Sequence, residues 1–348
     1  MVRSSPVPNA FVSGTGFYVP PRVVTNDDLI AMGVDTTHEW IVQRTGIEAR
    51  RYAEEGVGTS DLALPAARDA IARAGITARD LDLIVFATLS PDMAFPGSGV
   101  LLQQKLGLCE GPEPKFVGAL DVRNQCSGFL YSLHVATGLV KSGSAKHVLV
   151  VGAETHSAAI DISTRGRTVS TLFGDGAGAV VVSATDEDRG VRGTWLGADG
   201  RHAEMLCQKV WDIRKRPFIP VDASGVGQVD AEHMYAQMDG RTVFKHAVEK
   251  MCLAVMQACW ATSTDPKEVD LFFFHQANMR INQYVAKQLA LPDEKVVHNI
   301  QRYGNTTAAT IPILLAEAER DGRLRRGMRV AMVAFGSGFT WGSAMVDW

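Results

Sequence analysis

A pattern that recurs in the two ends of the chain limits its fold more than any other feature of the sequence. Leu81–Phe86 (LDLIVF) resembles Val269–Phe274 (VDLFFF), and a helical segment and a polar turn precede each. Later, LVKSGSAKHVLVVGAE resembles AERDGRLRRGMRVAMVAFGSG, in which a helix, a basic turn and a glycine-terminated apolar strand follow one another. The repeat predicts an internal duplication with halves at 1–185 and 239–348. The alternative is that any two βαβ units look alike.

Strand and helix patterns alternate along both halves, which predicts an α/β protein whose sheets are covered by helices. The predicted strands are apolar on both faces, as expected for a central, covered sheet. Between the halves, residues 186–238 are less regular and rich in Gly, Asp and basic residues, and we interpret them as a linker and surface excursion. We predict helices over residues 66–74 and 127–141, and strands over residues 81–88, 147–152, 176–183 and 271–274.

The composition is ordinary for a globular enzyme, with 46% apolar and 21% charged residues in a chain of 348. The formal charge of −3 gives no reason to expect a nucleic acid or an anionic membrane as partner. We expect neither a signal peptide nor a membrane span. The number of cysteines is odd and no CxxC pair occurs, which argues against a disulfide framework or a zinc site and favours the cytoplasm.

Cys126 is the cysteine whose surroundings suit a nucleophile. A strand ends near Asp121, a sharp turn follows, and an apolar helix begins directly after Cys126. The positive end of a helix dipole favours the thiolate form, which is the nucleophilic form. The alternative is a buried structural cysteine.

His275 and Asn305 are the second pair of candidates, both in the C-terminal half. His275 follows the strand that ends at Phe274, so its ring should emerge at the carboxyl edge of the sheet, where α/β proteins bind ligands. Asn305 lies in a turn before a helix, and by the repeat this turn matches the Cys126 turn. A plain helix cap is the alternative role for Asn305. The loop Phe335–Phe339 ends another strand and can present a backbone N–H to an oxyanion.

These residues, together with the runs DTTHEWIVQRTG, FGDGAGAVV, HQAN, GNT and GSGFTWGSA, resemble the β-ketoacyl-[acyl carrier protein] synthase III family. The motifs occur in the family's order, and the likeness extends from about residue 10 to the C-terminus. The resemblance implies the thiolase fold, with duplicated halves in five αβαβα layers, and a homodimer. It also implies that coenzyme A thioesters are substrates and that no cofactor or metal is needed.

The resemblance implies a role for each catalytic candidate. Cys126 would take the primer acyl group from coenzyme A. His275 and Asn305 would hold the malonyl thioester carbonyl of malonyl-[acyl carrier protein] and stabilise the enolate formed when carbon dioxide leaves. The N–H groups of Cys126 and Ser337 would form the oxyanion hole, although the family usually has glycine where this chain has Ser337.

The resemblance also assigns substrate contacts. Trp40 would stack on the adenine of coenzyme A with an arginine, either Arg165 or Arg167, and the spacing to FGDG favours Arg167. Further contacts to coenzyme A or its pantetheine arm would come from Thr36, Arg44 and Asn278.

Two further groups of residues follow from the resemblance. Phe95 would close the acyl pocket of the partner subunit, while Phe335 would pack near the catalytic histidine. Lys245, Arg280 and Lys287 would form a basic patch that docks the acidic acyl carrier protein. The alternative for these three is ordinary solvated helix charge.

Other readings on the same fold differ in a few residues. A condensing enzyme of secondary metabolism or of long-chain acyl condensation is not distinguished by any local feature. A hydroxymethylglutaryl-CoA synthase would need a glutamate acid/base, for which no motif matches. A degradative thiolase would need a second cysteine where Ser337 stands. A non-catalytic acyl-binding subunit could lose its Cys, His or Asn, and this chain keeps all three.

Overall fold

The protein is built around two mixed β-sheets that share one strand order. The computed structural model describes residues 7–210, 212–217, 219, 221–224, 226–227 and 231–348, without the side chains of residues 231 and 232. The first sheet has the order β1-β7-β6-β4-β5, formed by Asn9–Tyr18, Gly176–Thr185, His147–Glu154, Leu83–Ala87 and Gly118–Val122. The second has the order β8-β13-β12-β11, formed by Gly190–Ala198, Thr340–Asp347, Arg329–Gly336 and Leu271–Phe274.

The pairing within the two sheets supports a duplication. β4 runs parallel to β6, as β11 runs parallel to β12. The next strands, β7 and β13, pair antiparallel in each half, and β1 and β8 then pair antiparallel at the edge. The counterpart of β5 in the second half is reduced to a single parallel bridge between Phe272 and Val296.

Five layers result from the way helices cover these sheets. Helices α5 (Gly128–Lys141) and α11 (Thr310–Arg320) lie between the sheets and share one core with both. Helices α3 (Thr59–Arg73) and α4 (Ser98–Lys105) cover the outer face of the first sheet. Helices α8 (Gly240–Ala261) and α9 (Met279–Gln288) cover that of the second. The five-layered αβαβα thiolase fold expected from the resemblance is confirmed.

The remaining elements lie at the edges of this core. Two short antiparallel pairs are β2–β3 (Val23–Thr25 and Ala49–Arg51) and β9–β10 (Leu206–Cys207 and Gln237–Met238). The other helices are α1 (Asn26–Ala31), α2 (His38–Thr45), α6 (Arg167–Ser170), α7 (Ala231–Met234) and α10 (Ile300–Tyr303). Within the described residues, none of the helices is both long enough and apolar enough to span a bilayer.

The segment interpreted as a linker, residues 186–238, needs a correction. Its first part, β8, pairs with β13 over its whole length and is the edge strand of the second sheet. Most of its side chains are only half buried and three of its nine residues are glycine, so it lacks the apolar run that marks a buried strand. The second structural half therefore begins near residue 190, well before the predicted boundary at 239.

The start of α3 also differs from the prediction, which placed this helix at 66–74. The helix begins at Thr59, and Pro65 lies inside it. The Asp61 carboxylate accepts a bond from the Gly58 N–H at 3.0 Å and so caps the helix start seven residues earlier than predicted.

Candidate active site

One cavity of about 460 Å³ brings Cys126, His275 and Asn305 together at the centre of the molecule. The cavity wall is formed by strand ends from both halves and by helices α8 and α9. Two related halves predict such a shared site. Most of the wall is apolar, through Leu172, Phe173, Leu206, Met238, Val243, Phe244, Ala247, Met251, Ile281 and Phe335. Such a wall accommodates an acyl chain or a slender arm and excludes much of the bulk water.

Cys126 occupies the turn between β5 and α5. Gln125, just before it, has φ of 45°, which reverses the chain sharply, and a short 3₁₀ turn leads into α5 at Gly128. Ser127 anchors the turn to the second half, because its hydroxyl lies 2.8 Å from that of Thr340. The thiol is partly exposed to the cavity.

Two backbone N–H groups, those of Cys126 and Ser337, lie close enough to the Cys126 sulfur to lower the pKa of its thiol. The strand end that carries Ser337 approaches closely because Gly336 has no side chain. A Cβ at Gly336 would lie 3.0 Å from the Cβ of Cys126. Converging N–H groups beside a nucleophile are the arrangement that stabilises an oxyanion. The Ser337 hydroxyl bonds to the carbonyl of Leu206 and leaves the backbone N–H free for this purpose.

The Cys126 thiol does not have the lowered pKa that its helix position predicts. Burial, the largest cause, and the nearby Glu154 carboxylate together raise the pKa of the thiol to about 12, against the opposing effect of the two N–H groups. Desolvation therefore outweighs the helix terminus. The Cys126 thiol is therefore neutral at physiological pH.

Glu154 is a fully buried carboxylate at the end of β6. It accepts bonds from the backbone N–H groups of Leu89 and Ser90 at 3.1 Å, and from the hydroxyls of Thr88 at 3.1 Å and Ser90 at 2.6 Å. Burial raises the pKa of Glu154 to about 7, while these donors lower it. The sequence analysis did not single out Glu154, although a carboxylate that ends a buried central strand is a usable signal.

His275 directly follows β11 and is almost fully buried. Its Nδ1 lies 2.7 Å from the hydroxyl of Thr310, and its Nε2 has no hydrogen-bond partner among the described residues. Burial lowers the pKa of His275 to about 3, so the ring is neutral at physiological pH. A neutral ring with one free nitrogen at a cavity wall can meet a substrate atom.

Asn305 is held by both its backbone and its side chain. Its backbone bonds to the 172–174 segment, with the N–H donating to Leu172 at 2.8 Å and the carbonyl accepting from Gly174 at 3.1 Å. Its Oδ1 accepts the N–H of Thr307 at 2.8 Å. Since Oδ1 is occupied in this way, the Nδ2 amide is the group left to donate into the cavity.

The mouth of the cavity carries an aromatic ring with two arginines. The guanidinium groups of Arg44 and Arg167 lie 4.8 and 5.3 Å from the centre of the Trp40 ring. Arg165, the alternative to Arg167, instead pairs with Asp161 at 2.7 Å. Flat rings and cations in this arrangement suit a nucleotide base and its phosphates.

Two of the predicted coenzyme A contacts differ from the expectation. Thr36 does not line the described cavity, and its buried hydroxyl has no hydrogen-bond partner among the described residues. Its neighbour Thr37 caps α2 by accepting the Trp40 N–H at 3.1 Å. Asn278 lines the cavity, but its side chain caps α9 at Arg280 and donates to the carbonyl of Arg44 at 3.0 Å.

The remaining predicted residues divide between the interior and the surface. Phe335 is buried in the cavity wall, whereas Phe95 is 84% exposed and lines no described cavity. Lys245 on α8 and Arg280 and Lys287 on α9 are exposed, lie on helices that pack together, and have no salt-bridge partner among the described residues. Arg280 also reaches the cavity mouth.

Over the residues for which the structure gives positions, no group of three or more His, Cys, Asp or Glu side chains could hold a metal ion. The side chains that meet in the cavity offer a thiol, a neutral imidazole and an amide.

Comparison with known proteins identifies relatives along nearly the whole chain. Residues 120–200 match the 3-oxoacyl-[acyl-carrier-protein] synthase III family, and residues 259–348 match its C-terminal part. A β-ketoacyl-[acyl-carrier-protein] synthase III of Rhodospirillum centenum is 43% identical over 341 residues, which cover 97% of this chain and 98% of that protein. The protein of the same name from Xanthomonas euvesicatoria is 45% identical, over 96% of this chain and 97% of its own length. The crystal structure of the 3-oxoacyl-[acyl-carrier-protein] synthase III from Aquifex aeolicus matches with a TM-score of 0.85 and 40% identity, over 97% of this chain and all of that one.

Proposed function

Because the chain belongs to the 3-oxoacyl-[acyl-carrier-protein] synthase III family, we propose that it condenses an acyl-CoA primer with malonyl-[acyl carrier protein] and so initiates fatty acid synthesis. The observation that carries this proposal is that Cys126, His275 and Asn305 line one cavity, with the backbone N–H groups of Cys126 and Ser337 beside the sulfur. Coenzyme A is a substrate in this scheme, and no step uses a metal or other cofactor.

In the first half-reaction, the Cys126 sulfur attacks the carbonyl carbon of the acyl-CoA. The N–H groups of Cys126 and Ser337 stabilise the oxyanion that forms. The C–S bond to coenzyme A then breaks, and the coenzyme leaves as a thiol with the proton that Cys126 gives up. Because the resting sulfur is a neutral thiol, its proton must leave during the attack, and the free Nε2 of His275 is the nearby group able to relay it.

In the second half-reaction, the malonyl thioester carbonyl binds between His275 Nε2 and Asn305 Nδ2. Loss of carbon dioxide leaves an enolate, whose negative oxygen these two groups stabilise. The enolate carbon attacks the acyl carbon on Cys126, a C–C bond forms, and the C–S bond to Cys126 breaks. The product is a β-ketoacyl thioester on the carrier protein, and the Cys126 thiolate that leaves takes up one proton from water.

Substrates would enter past Trp40, whose ring and two neighbouring arginines fit an adenine base and phosphates. The carrier protein would dock on Lys245, Arg280 and Lys287 beside the same mouth. Unpaired basic side chains on two adjoining helices are suited to an acidic partner, and such contacts mainly accelerate encounter.

We also propose that two copies of the chain associate through the outer edge of the first sheet. β5 is paired only with β4, and an unpaired edge with exposed apolar side chains favours association. Around it, Phe95, Phe116 and Leu120 are exposed by 84%, 80% and 42%. In the dimer, Phe95 would reach the acyl pocket of the other copy.

Intact-mass measurement with a panel of acyl-CoAs tests the function. A mass gain equal to the acyl group, followed by its loss when malonyl-[acyl carrier protein] is added, would support both half-reactions. The Cys126→Ala variant should gain no mass. The proposal fails if the wild-type protein is not acylated by any acyl-CoA with a chain of about two to sixteen carbons. Chains in this range fit a cavity of this size.

A further inference from the structure

Thr307 is a fully buried residue that directs three hydrogen bonds to three different parts of the site. Its N–H donates to Asn305 Oδ1 at 2.8 Å, and its hydroxyl lies 2.6 Å from Nε2 of His156. Its carbonyl lies 3.0 Å from the hydroxyl of Thr310. The φ of Thr307 is 48°, a conformation that β-branched residues rarely adopt. Strain of this kind persists only where the surroundings hold it in place.

The Thr310 hydroxyl extends this set of bonds to the catalytic imidazole, because it lies 2.7 Å from Nδ1 of His275. We propose that His156, Thr307 and Thr310 form a positioning network that sets the direction of the Asn305 amide and of the His275 ring. The inference rests on the proposed function, since it assigns these residues a part in the second half-reaction. None of the three needs to touch the substrate.

The network determines which atoms face the thioester carbonyl. Because Asn305 Oδ1 is occupied by Thr307, the amide N–H of Asn305 points to the cavity. The single proton of the Thr310 hydroxyl decides which ring nitrogen of His275 is protonated. While that proton is donated to the Thr307 carbonyl, the hydroxyl accepts Nδ1–H and Nε2 can take up a proton. When the hydroxyl donates to Nδ1 instead, the ring proton resides on Nε2, the nitrogen without a partner. Both groups are then donors, as an enolate oxygen requires.

His156 is the end of the network that comes from the other half of the molecule. It follows β6, and its ring packs on Phe173 with centroids 4.6 Å apart. Phe173 is itself bridged to Asn305 through the backbone. Burial lowers the pKa of His156 to about 3, so the ring stays neutral and serves as a fixed hydrogen-bond partner. Residues from both halves thus orient the Asn305 amide and the His275 imidazole.

The test measures the two half-reactions separately in the Thr307→Val variant. This substitution keeps the branched shape of the side chain and removes its hydroxyl. Its control is Thr137→Val, which removes a buried hydroxyl that has no partner and lies on α5 away from the network. Acylation of Cys126 is followed by intact mass, and carbon dioxide release from malonyl-[acyl carrier protein] is followed separately. Acylation in each variant also demonstrates a folded site.

We expect Thr307→Val to lower kcat for carbon dioxide release on the order of tenfold, the effect of one lost hydrogen bond, with KM unchanged. Acylation should stay within about twofold of wild type. Thr307→Ser should restore the rate, because it restores the hydroxyl. His156→Phe, which keeps the ring contact, should match Thr307→Val, and the double variant should be no slower, since both remove the same bond. Thr310→Val should give a similar loss.

Three outcomes would overturn the network. One is a Thr307→Val variant that releases carbon dioxide at the wild-type rate. Another is an equal loss in both half-reactions, and the third is an additive loss in the double variant. If the wild-type protein neither becomes acylated nor releases carbon dioxide, the proposed function itself fails, and this result is distinct from the other three.

Discussion

The two turns that meet in the active site have similar backbones but different surroundings. In the first, Gln125 adopts φ of 45° and a 3₁₀ turn leads into α5. In the second, Thr307 adopts φ of 48° and a 3₁₀ turn leads into α11. Each turn thus uses one residue with positive φ to reverse the chain at the start of a central helix. The same local device brings a residue from each half to one cavity.

The difference lies in what holds the functional side chains. Cys126 is partly exposed and is contacted by backbone N–H groups, which leaves its sulfur free to form and break bonds. Asn305 and His275 are at least 96% buried and are fixed by side-chain hydrogen bonds. A nucleophile needs room to react, whereas oxyanion donors need a fixed direction. Separate substitutions should therefore disable separate half-reactions.

Replacing Cys126 by alanine should have the largest effect, because it removes the bond-forming atom of the first turn. We expect condensation to fall by about 10⁴ or more, as for other lost nucleophiles. Radiolabel from acyl-CoA should remain on the denatured wild-type protein, and peptide mapping should place it at 126. Label on Cys109 or Cys252 would overturn the assignment.

His275→Ala should leave most of the acylation at the first turn and disable decarboxylation at the second. Carbon dioxide release should fall by about 10² to 10³, the usual loss for one oxyanion donor, and Asn305→Ala should act in the same direction. Cys126 should still become acylated, more slowly if His275 relays its proton. Normal decarboxylation in His275→Ala would refute the division between the turns.

Arg280→Glu tests the comparison at the mouth of the cavity. It should slow turnover with malonyl-[acyl carrier protein] on the order of tenfold at low salt, and less as salt rises, because docking charges are screened. Acylation by small acyl-CoAs should change little. Arg325→Glu, at an exposed arginine that does not line the described cavity, is the control. An equal loss for both substrates at every ionic strength would make Arg280 a structural or coenzyme A contact instead.

Much of this arrangement could be predicted because it depends on local patterns in the sequence. β4, β6 and β11 are continuous apolar runs, and the repeat placed the Cys126 and Asn305 turns in equivalent positions. The sequence did not predict β8, because its glycines and half-buried side chains show no regular alternation of apolar and polar residues. Its pairing with β13 is what makes it a strand. The thiol pKa was mispredicted because helix position is local, whereas desolvation depends on the whole surroundings. The network through Thr307 likewise joins residues 151 positions apart.

Glu154→Gln should make the first turn more reactive towards alkylating agents. The Glu154 charge is the second cause of the raised thiol pKa, so removing it lowers that pKa and increases the thiolate fraction. We expect alkylation of Cys126 by iodoacetamide to accelerate several-fold near neutral pH. Asp175→Asn, at a second buried carboxylate that does not act on the thiol, should leave the rate unchanged. A slower or unchanged rate in Glu154→Gln would refute the electrostatic role.

The smallest effect should be a difference in how the surroundings of the two turns respond to acid. Burial lowers the pKa of His156, beside the second turn, to about 3, so the folded state binds fewer protons than the unfolded chain. Its contribution to stability is present above pH 6.5 and is lost as pH falls towards 3. Between pH 7 and pH 5 this loss amounts to about 2 kcal/mol.

Glu154, which acts on the Cys126 thiol and also accepts the Ala308 N–H of the second turn at 3.5 Å, has the opposite sign. Burial raises its pKa to about 7, so its contribution is present below pH 4.5 and is lost as pH rises towards 7. Acidification from pH 7 to pH 5 therefore stabilises the fold by about 2 kcal/mol through this group. Urea unfolding at both pH values should show a shallower acid loss in His156→Phe and a steeper one in Glu154→Gln. If both variants shift the pH dependence in the same direction, His156 and Glu154 do not respond to acid with opposite signs. The opposite shifts follow from burial alone, since a buried imidazole is held neutral by losing a proton and a buried carboxyl by keeping one.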